Sequence, residues 1–285
     1  MDLSVVLINY NTKELTNQAV RSVLETVQQI SCEVLVVDNS NNPAEVYQND
    51  SPDVRVISGV ENRGFGHACN LGAGQALGDY LLFLNSDTIV HEGALDASVR
   101  FLKEHPDVGA LGIRTLLADG KLDHGCKRGF PTPSASLYYF LGMDKRHPES
   151  KKYGAYRQTF LPEDQTAETD CVSGAYLMMP KSFFAELGGF DEMFFMYGED
   201  VDLCYRVKQV GKKVVYFAGG TITHLKGSSG LHTKSKEVIY HFHHAMELFY
   251  KKHYQKKYNI FVTAAVYTGI RLKYWLTLLK MKIKK

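Results

Sequence analysis

Residues 3–11 of the 285-residue chain read LSVVLINYN, a predicted strand from Leu3 to Ile8 whose continuous apolar run, Val5–Ile8, stops at the polar triplet Asn9-Tyr10-Asn11. A strand that is apolar at every position, rather than at alternate ones, is typical of a parallel sheet covered by helices on both faces. Lys13–Gln28 then has the pattern of a helix, and a second apolar run follows at Glu33–Val37. This strand, helix, strand order predicts an α/β fold.

The pattern continues with predicted strands at Val54–Ser58 and Tyr80–Leu84 and a predicted helix at Phe65–Ala76. Sheets of this kind bind ligands beyond the carboxyl ends of their strands, so the polar residues that follow each strand should converge on one crevice. These residues are Asn9-Tyr10-Asn11, Asp38-Asn39-Ser40, Asn62-Arg63-Gly64 and Asn85-Ser86-Asp87. The amides at the start of the helix after Gly64 favour anions.

Residues from about 110 to 180 mix short apolar runs with Gly- and Pro-containing loops. This stretch predicts a smaller mixed sheet appended to the parallel one, rather than another strand–helix–strand unit. Inside the predicted strand Val172–Met179, the small residues Gly174 and Ala175 leave room for a ligand or another backbone to approach.

Three carboxylates stand together near residue 200, where the aromatic run Phe194–Tyr197 leads into Gly198-Glu199-Asp200-Val201-Asp202. A helix is predicted from Val201 to Val210, with Gly211 as its stop. Acids in a first helical turn ordinarily cap it, and Asp202 with Arg206 has the spacing of an i,i+4 ion pair. Capping explains one acid but not three, so Glu199 and Asp200 are candidate acid/base residues.

Asp87 follows a predicted strand, at a position that suits a divalent cation such as Mg²⁺ or Mn²⁺. Taken alone, Asn85-Ser86-Asp87 fits a simple turn better. His224 follows the predicted strand Val214–Phe217 and a predicted turn at Gly219-Gly220. It is a second candidate metal or phosphate ligand, although a lone histidine is more often a core residue. The next residues, 226–230, have the composition of a phosphate-binding lid or a linker.

Eight segments taken in order carry a resemblance that covers about residues 3 to 230. They are Asn9-Tyr10-Asn11, Val36–Ser40, Glu61–Phe65, Asn70, Leu84–Thr88, Ser173–Ala175, Gly188–Glu192 and Tyr197–Arg206. Together they resemble glycosyltransferase family 2, and most closely its rhamnosyltransferase-like branch.

The resemblance implies a GT-A fold, a nucleotide-diphospho-sugar donor, a Mn²⁺ or Mg²⁺ ion and transfer with inversion at the anomeric carbon. Asp200 of the Glu199–Asp200 pair would be the general base. Asp87, the last acid of a DXD-like motif whose first position is Asn85, would bind the metal with support from His224. Asp38 would contact the base of the nucleotide. The other donor-binding positions are Asn9, Tyr10, Asn62, Arg63, Gly64, Asn85, Ser86, Gly174 and Ala175.

The resemblance favours dTDP-rhamnose as donor and a lipid-linked or growing cell-surface polysaccharide as acceptor. A UDP-hexose or UDP-N-acetylhexosamine donor on the same scaffold is the first alternative. A catalytically silent nucleotide-sugar-binding protein is the second, and it could dispense with Asp200. A nicotinamide oxidoreductase is disfavoured because no G-x-G-x-x-G motif follows the first strand.

The C-terminal part of the chain is strongly basic. After Glu247 there are ten Lys or Arg residues and no acid. The whole chain has a formal net charge of +2, so residues 1–247 carry a net charge of −8. Aromatic and aliphatic residues interleave with these charges, which predicts an amphipathic helix on an anionic membrane rather than a nucleic-acid-binding tail. The longest uncharged stretch, Tyr258–Ile270, is shorter than the ~20 residues a spanning helix needs. Packing of the apolar side on the enzyme body or a second subunit is the alternative.

We therefore expect a catalytic domain at residues 1–230 and a basic helical extension at residues 231–285. Five cysteines without a CxxC pair favour a reducing compartment, and Asp2 stands where a signal peptide would be basic. These features predict a cytoplasmic protein held peripherally on the inner face of the plasma membrane, with a homodimer as a further possibility.

Overall fold

The structure, a computed structural model, describes residues 1–225 and 235–283. The strands are β1 (Leu3–Asn9), β2 (Cys32–Asp38), β3 (Val54–Ile57), β4 (Tyr80–Leu84), β5 (Thr88–Val90), β6 (Val108–Leu117), β7 (Ala167–Thr169), β8 (Tyr176–Pro180) and β9 (Lys213–His224). The α-helices are α1 (Lys13–Thr26), α2 (Phe65–Gln75), α3 (Ala94–Glu104), α4 (Pro133–Phe140), α5 (Met143–Arg146), α6 (Lys181–Glu186), α7 (Glu199–Gln209), α8 (Lys236–His253) and α9 (Ile260–Ile283).

The strands of the described residues form one sheet, in the order β3-β2-β1-β4-β8-β6-β9-β5, with β7 paired to β9. β3, β2, β1 and β4 are parallel, as the sequence predicts. β8 then runs antiparallel to β4. Because β1, β2 and β4 point the same way, the polar residues at their carboxyl ends meet at one edge of the sheet.

Both faces of the sheet are covered, which explains the continuous apolar run in β1. Val5 and Leu7 belong to a core with residues of α1 and α3, whereas Val6 belongs to a second core with residues of α2, α7 and α8. Successive side chains of a strand point to opposite faces, so each residue of the run is buried in one core or the other.

The predicted smaller mixed sheet is present only as a continuation of the main one. β6 pairs in parallel with β9 and antiparallel with β8, and its first six residues are buried. A strand this apolar needs cover on both faces, which the centre of the main sheet supplies.

Two local expectations between residues 172 and 224 are wrong. Gly174 and Ala175 precede β8 rather than lying inside a strand, because the amide of Tyr176 donates to the carbonyl of Ser173 in a turn. Gly219-Gly220 is not a turn either. β9 runs through it to His224, and the extra residues are absorbed by a register shift against β6 between Ile113 and Arg114.

α8 is fixed to the rest of the protein through buried Asp202 of α7. One carboxylate oxygen of Asp202 lies 2.7 Å from Nε2 of His253 and 2.6 Å from Nζ of Lys252, and the other lies 2.8 Å from Nε of Arg206. Burial alone would raise the pKa of Asp202, but the hydrogen bonds to His253 and Lys252 and the charge of Arg206 outweigh it and lower the pKa to about 2. The ion cluster therefore clamps α8 onto α7.

The division of the chain at residue 230 stays a prediction. α8 lies beyond that boundary, yet Ala245, Phe249 and Tyr250 are part of the same core as α7. For α8, the alternative that the extension packs on the body of the protein is therefore the one observed. Helix α9 packs on α8, where the hydroxyls of Tyr250 and Thr263 are 3.1 Å apart. Among the helices of the described ranges, none has both the length and the apolar character required to cross a membrane.

Candidate active site

One end of the candidate site is a hydrogen-bonded cluster at the ends of β1, β2 and β4. Nδ2 of Asn9 donates to Oδ1 of Asp38 at 2.7 Å and to Oγ of Ser40 at 2.9 Å. The hydroxyl of Thr12 donates to that of Ser86 at 3.2 Å. Asn9 is fully buried, so it orients Asp38 from below and does not line an open surface. Tyr10 is half-buried, and its hydroxyl accepts a 3.2 Å hydrogen bond from Asn41.

The loop before α2 lies between this cluster and the acidic helix start. Oδ1 of Asn62 accepts from the amide of Gly64 at 3.2 Å. Gly64 has a φ of +105°, and a Cβ there would lie 2.5 Å from the carbonyl oxygen of Phe195, so only glycine fits. The amide of Phe65 donates to the same oxygen at 2.9 Å. Arg63 is largely exposed and lies 4.0 Å from Glu192.

Asp200 is held in a fixed orientation at the first turn of α7. Its Oδ2 accepts from Nη2 of Arg128 at 2.7 Å and from the amide of Gly174 at 3.2 Å, and its Oδ1 accepts from the amide of Val201 at 2.8 Å. The next residue, Ala175, accepts through its carbonyl from the amide of Asn85 at 3.2 Å. The dipeptide 174–175 therefore connects the candidate base with the β4 end that carries the candidate metal ligand.

Arg128 is a site residue that sequence reasoning missed. Its backbone pairs with that of Cys171 through two 2.9 Å hydrogen bonds, which carries its guanidinium to Asp200. Burial lowers the pKa of this guanidinium, but the charge of Asp200 outweighs burial and raises the pKa well above its usual value. No motif surrounds Arg128, and the contact spans 72 positions in sequence, so no local signal could have found it.

Glu199 differs from its neighbour, because its side chain turns into the protein. The residue is buried, and its Oε2 has no hydrogen-bond partner among the described residues. Burial first, and then the negative charge of Asp200, raise the pKa of Glu199 to about 8. Glu199 is thus mainly protonated at neutral pH. A catalytic role for Glu199 stays a prediction.

This raised pKa predicts that Glu199→Gln stabilises the protein in mildly alkaline solution. The unfolded chain releases the Glu199 proton near 4.5, whereas the folded chain holds it to about 8, so the free energy of unfolding falls as pH rises through this range. A glutamine cannot ionise, so the variant avoids this decrease in the free energy of unfolding, which is of the order of a few kcal/mol. We expect the Tm of the variant to exceed that of the parent by several degrees at pH 9 and by much less at pH 5. Glu104→Gln, at an exposed position of α3, is the matched control, and equal Tm differences at both pH values would contradict the assignment.

The two predicted metal ligands, Asp87 and His224, lie side by side because β5 and β9 pair with Thr88 opposite His224. Nε2 of His224 is 3.1 Å from Oδ1 of Asp87, and Nδ1 is 3.2 Å from Oδ2 of Asp123. Burial lowers the pKa of His224, but hydrogen bonds to Asp123 and Asp87 outweigh it and raise the pKa to about 9. Asp123 is a second residue that sequence reasoning missed, since it lies in a loop about a hundred positions from its partner.

The donor set fits Mn²⁺ or Mg²⁺ when a substrate completes it. A carboxylate suits either ion, with phosphate and water filling the other positions, and Asp123 on Nδ1 would orient the imidazole of His224 so that its Nε2 could ligate. Within residues 1–225 and 235–283, no group of three or more His, Cys, Asp or Glu side chains could by itself hold a metal ion. The His224 ring lies between Asp87 and Asp123, so the two carboxylates do not point towards one position that a metal ion could occupy. The predicted lid at 226–230 lies outside the described residues.

The comparisons with known proteins agree with this geometry. The model of the family described as Glycosyl transferase family 2 matches residues 4–161, more than half of the chain. The chain belongs to glycosyltransferase family 2.

Within the family, two of the relatives are named as rhamnosyltransferases. The N-acetylglucosaminyl-diphospho-decaprenol L-rhamnosyltransferase of Mycobacterium tuberculosis is 31% identical over 242 residues, which cover 80% of this chain and 77% of the relative. Rhamnosyltransferase WbbL of Escherichia coli K12 is 29% identical over 163 residues, covering 54% of this chain and 57% of its own. The chain is therefore a rhamnosyltransferase-like member of the family.

Two solved structures show that the fold is GT-A. GalNAc-T7 with UDP, GalNAc and Mn²⁺ superposes with a TM-score of 0.59 at 17% identity, and covers 87% of this chain and 48% of its own. Staphylococcus aureus TarS 1–349 in complex with UDP-GlcNAc gives a TM-score of 0.54 at 18% identity, covering 87% and 65%. The predicted α/β fold class is confirmed.

Proposed function

We propose that this glycosyltransferase moves L-rhamnose from dTDP-rhamnose to a hydroxyl of a lipid-linked or growing cell-surface polysaccharide, with inversion. The observation that carries the proposal is the chain of hydrogen bonds from Asp200 through the dipeptide 174–175 to the β4 end that precedes Asp87, which supports a single site with a base and a metal ligand. The rhamnosyltransferase relatives support the choice of donor.

The nucleotide would bind at the ends of β1 and β2. Asp38, oriented by Asn9, would accept a hydrogen bond from the base, and Tyr10 would line the pocket. Asn62, Arg63 and Gly64 precede α2, whose first amides and positive dipole end favour the diphosphate. Asn85, Ser86, Gly174 and Ala175 would line the space between nucleotide and base.

A Mn²⁺ or Mg²⁺ ion would be held by Asp87 and His224, with the donor diphosphate and water as its other ligands. When bound, such an ion supplies positive charge that stabilises the leaving nucleoside diphosphate. Asp123 would hold the imidazole of His224 in place by accepting from Nδ1.

Asp200 would remove the proton from the acceptor hydroxyl as the new glycosidic bond forms. Arg128 and the amide of Gly174 fix its orientation, and positive charge beside the carboxylate keeps it from turning away. An acceptor that attacks from the Asp200 side, opposite the leaving diphosphate, inverts the anomeric carbon in a single displacement.

The relatives and the basic C-terminal extension support the proposed acceptor and location. A saccharide on a lipid diphosphate is the acceptor named for the M. tuberculosis relative. We propose the same class here, with the extension binding the anionic inner face of the plasma membrane. A homodimer through the extension is the alternative arrangement.

A UDP-N-acetylhexosamine is the second candidate donor, because the structural neighbours were solved with UDP or UDP-GlcNAc. A non-catalytic sugar-nucleotide binder is less well supported, since it would have no need of a base held as firmly as Asp200.

Thermal unfolding with a panel of nucleotide sugars tests the proposal. We expect dTDP-rhamnose with Mn²⁺ to raise the Tm by several degrees, because ligand at about a hundred times its Kd adds roughly 2.7 kcal/mol to the free energy of unfolding. dTDP-rhamnose without metal and UDP sugars with metal should shift the Tm less. A larger shift with UDP-GlcNAc would favour the second donor, and no shift with any donor would reject the proposal.

A further inference from the structure

α9 exposes an apolar stripe along most of its length. One side of the helix packs on α8, where Nε of Arg271 lies 3.3 Å from Glu247 and the Tyr274 ring lies 5.5 Å from that of His243. The other side carries large apolar residues that are all more than half exposed: Phe261, Leu272, Trp275, Leu276 and Leu279. Their spacing follows the helical period, and they extend over about 27 Å at 1.5 Å per residue.

The short helix α4 adds to this surface from a distant part of the sequence. Leu137, Phe140 and Leu141 are also more than half exposed. Lys273 of α9 joins the two elements, because its Nζ lies 4.4 Å from the centre of the Phe140 ring and 5.4 Å from that of Phe242. We call the exposed apolar residues of α4 and α9, together with Lys273, the α4–α9 surface.

The α4–α9 surface reaches the acceptor side of the site. The Phe242 ring, which contacts Lys273, also lies 5.5 Å from the Tyr197 ring. Tyr197 is three residues before Asp200, in the loop that leads into α7. A molecule bound on this surface therefore lies next to the loop that carries the candidate base.

Basic side chains border the apolar residues on both elements. Beside α4 they are the exposed residues Lys145, Arg146, Lys151 and Lys152, and on α9 they are Arg271 and Lys280. Burial lowers the pKa of Lys273, and no carboxylate of the described residues pairs with it. Exposed apolar residues within a basic rim fit an anionic lipid surface. A second copy of the chain would bring the same positive charges and be repelled.

We propose that the α4–α9 surface docks on an anionic bilayer and turns the acceptor side of the site towards the lipid. This deepens the proposed function, since it rests on a lipid-linked acceptor, but it adds α4 to the membrane contact. Contact through the C-terminal extension alone would leave α4 in water.

Tryptophan fluorescence tests the α4–α9 surface, because Trp275 is the only tryptophan of the chain. Vesicles of phosphatidylglycerol and phosphatidylcholine should shift its emission to the blue, and brominated acyl chains should quench it. Vesicles of phosphatidylcholine alone should do neither. A Trp275→Phe, Phe140→Trp variant moves the reporter to α4 and should be quenched as well. The matched control, Trp275→Phe, Leu77→Trp, puts it at an exposed site before β4, at the opposite edge of the sheet, where no quenching is expected.

A second measurement separates docking from other occupants. Leu137→Ser, Phe140→Ser should weaken partitioning onto anionic vesicles about tenfold or more, because two exposed apolar side chains no longer enter the interface. Quenching at position 140 no greater than at position 77 would overturn the proposal, as would a lipid-free dimer that this variant converts to a monomer. Neither outcome depends on the Tm shifts measured with nucleotide sugars. Quenching by brominated lipid without a Tm shift from any donor would therefore reject the proposed function but still support membrane docking of the α4–α9 surface.

Discussion

Asp200→Asn is expected to lower turnover by about 10²–10⁴-fold while donor binding stays intact, as for other lost general bases. Asparagine keeps the shape of the side chain, and its carbonyl oxygen can still accept from Arg128 and Gly174, so the site should remain folded. It cannot take a proton from the acceptor hydroxyl. Initial rates with saturating dTDP-rhamnose and a soluble acceptor analogue give the change in kcat, and thermal shifts give donor affinity.

Asp202→Asn is the matched control, because it removes a carboxylate from the same helix, two residues after Asp200. Asp202 is fully buried and bound to α8, so this variant should lower the Tm by several degrees, whereas kcat measured well below that Tm should change by less than about tenfold. If Asp200→Asn kept the full kcat, or if Asp202→Asn lowered kcat by as much as Asp200→Asn, Asp200 would not be the base.

Asp87→Asn is expected to abolish most of the metal-dependent activity, with a loss in kcat/KM of about three orders of magnitude. A cation at a developing charge contributes several kcal/mol to the transition state, and each 1.36 kcal/mol is about tenfold in rate. Asparagine has no negative charge to hold the ion beside His224. The Mn²⁺-dependent part of the thermal shift with dTDP-rhamnose should disappear, while any shift from the nucleotide alone should remain.

Asp123→Asn provides a graded comparison at the same site. Its carboxylate contacts Nδ1 of His224 and would orient the imidazole without touching the metal, so a loss of 10–100-fold in metal affinity is expected, as for other such partners. Mn²⁺ titrations of activity measure this directly. Equal effects of Asp87→Asn and Asp123→Asn, or Mn²⁺ dependence that survives Asp87→Asn, would reject the ligand assignment.

The parallel half of the sheet could be predicted because its signals are local. β1, β2 and β4 each contain a run of four or more apolar residues followed by polar ones, and the rule that parallel strands end at one edge was enough to place Asp38 and the β4 end before Asp87 at the same edge. The association of Asp87 with His224 was predicted from chemistry, and the pairing of β5 with β9 provides it.

The remaining features depend on contacts between distant segments. Arg128 and Asp123 lie in the region predicted to form an appended mixed sheet, and only the fold brings them to Asp200 and His224. β6 and β8 lie at the centre of the sheet because β8 reverses direction beside β4, which no local pattern encodes. The three acids near 200 also looked equivalent in sequence. Burial keeps Glu199 mainly protonated at neutral pH, Arg128 orients Asp200, and α8 neutralises Asp202.

The attachment of α8 to Asp202 has a consequence for how the protein is made. Helix α7 is translated about fifty residues before Lys252 and His253, so during synthesis Asp202 has Arg206 as its only described ion-pair partner on the nascent chain. Helix α8 can therefore pack on α7 only late in synthesis, once it has left the ribosome. A message that ends early, before codon 252, yields a polypeptide with every motif of the family and an unfinished fold.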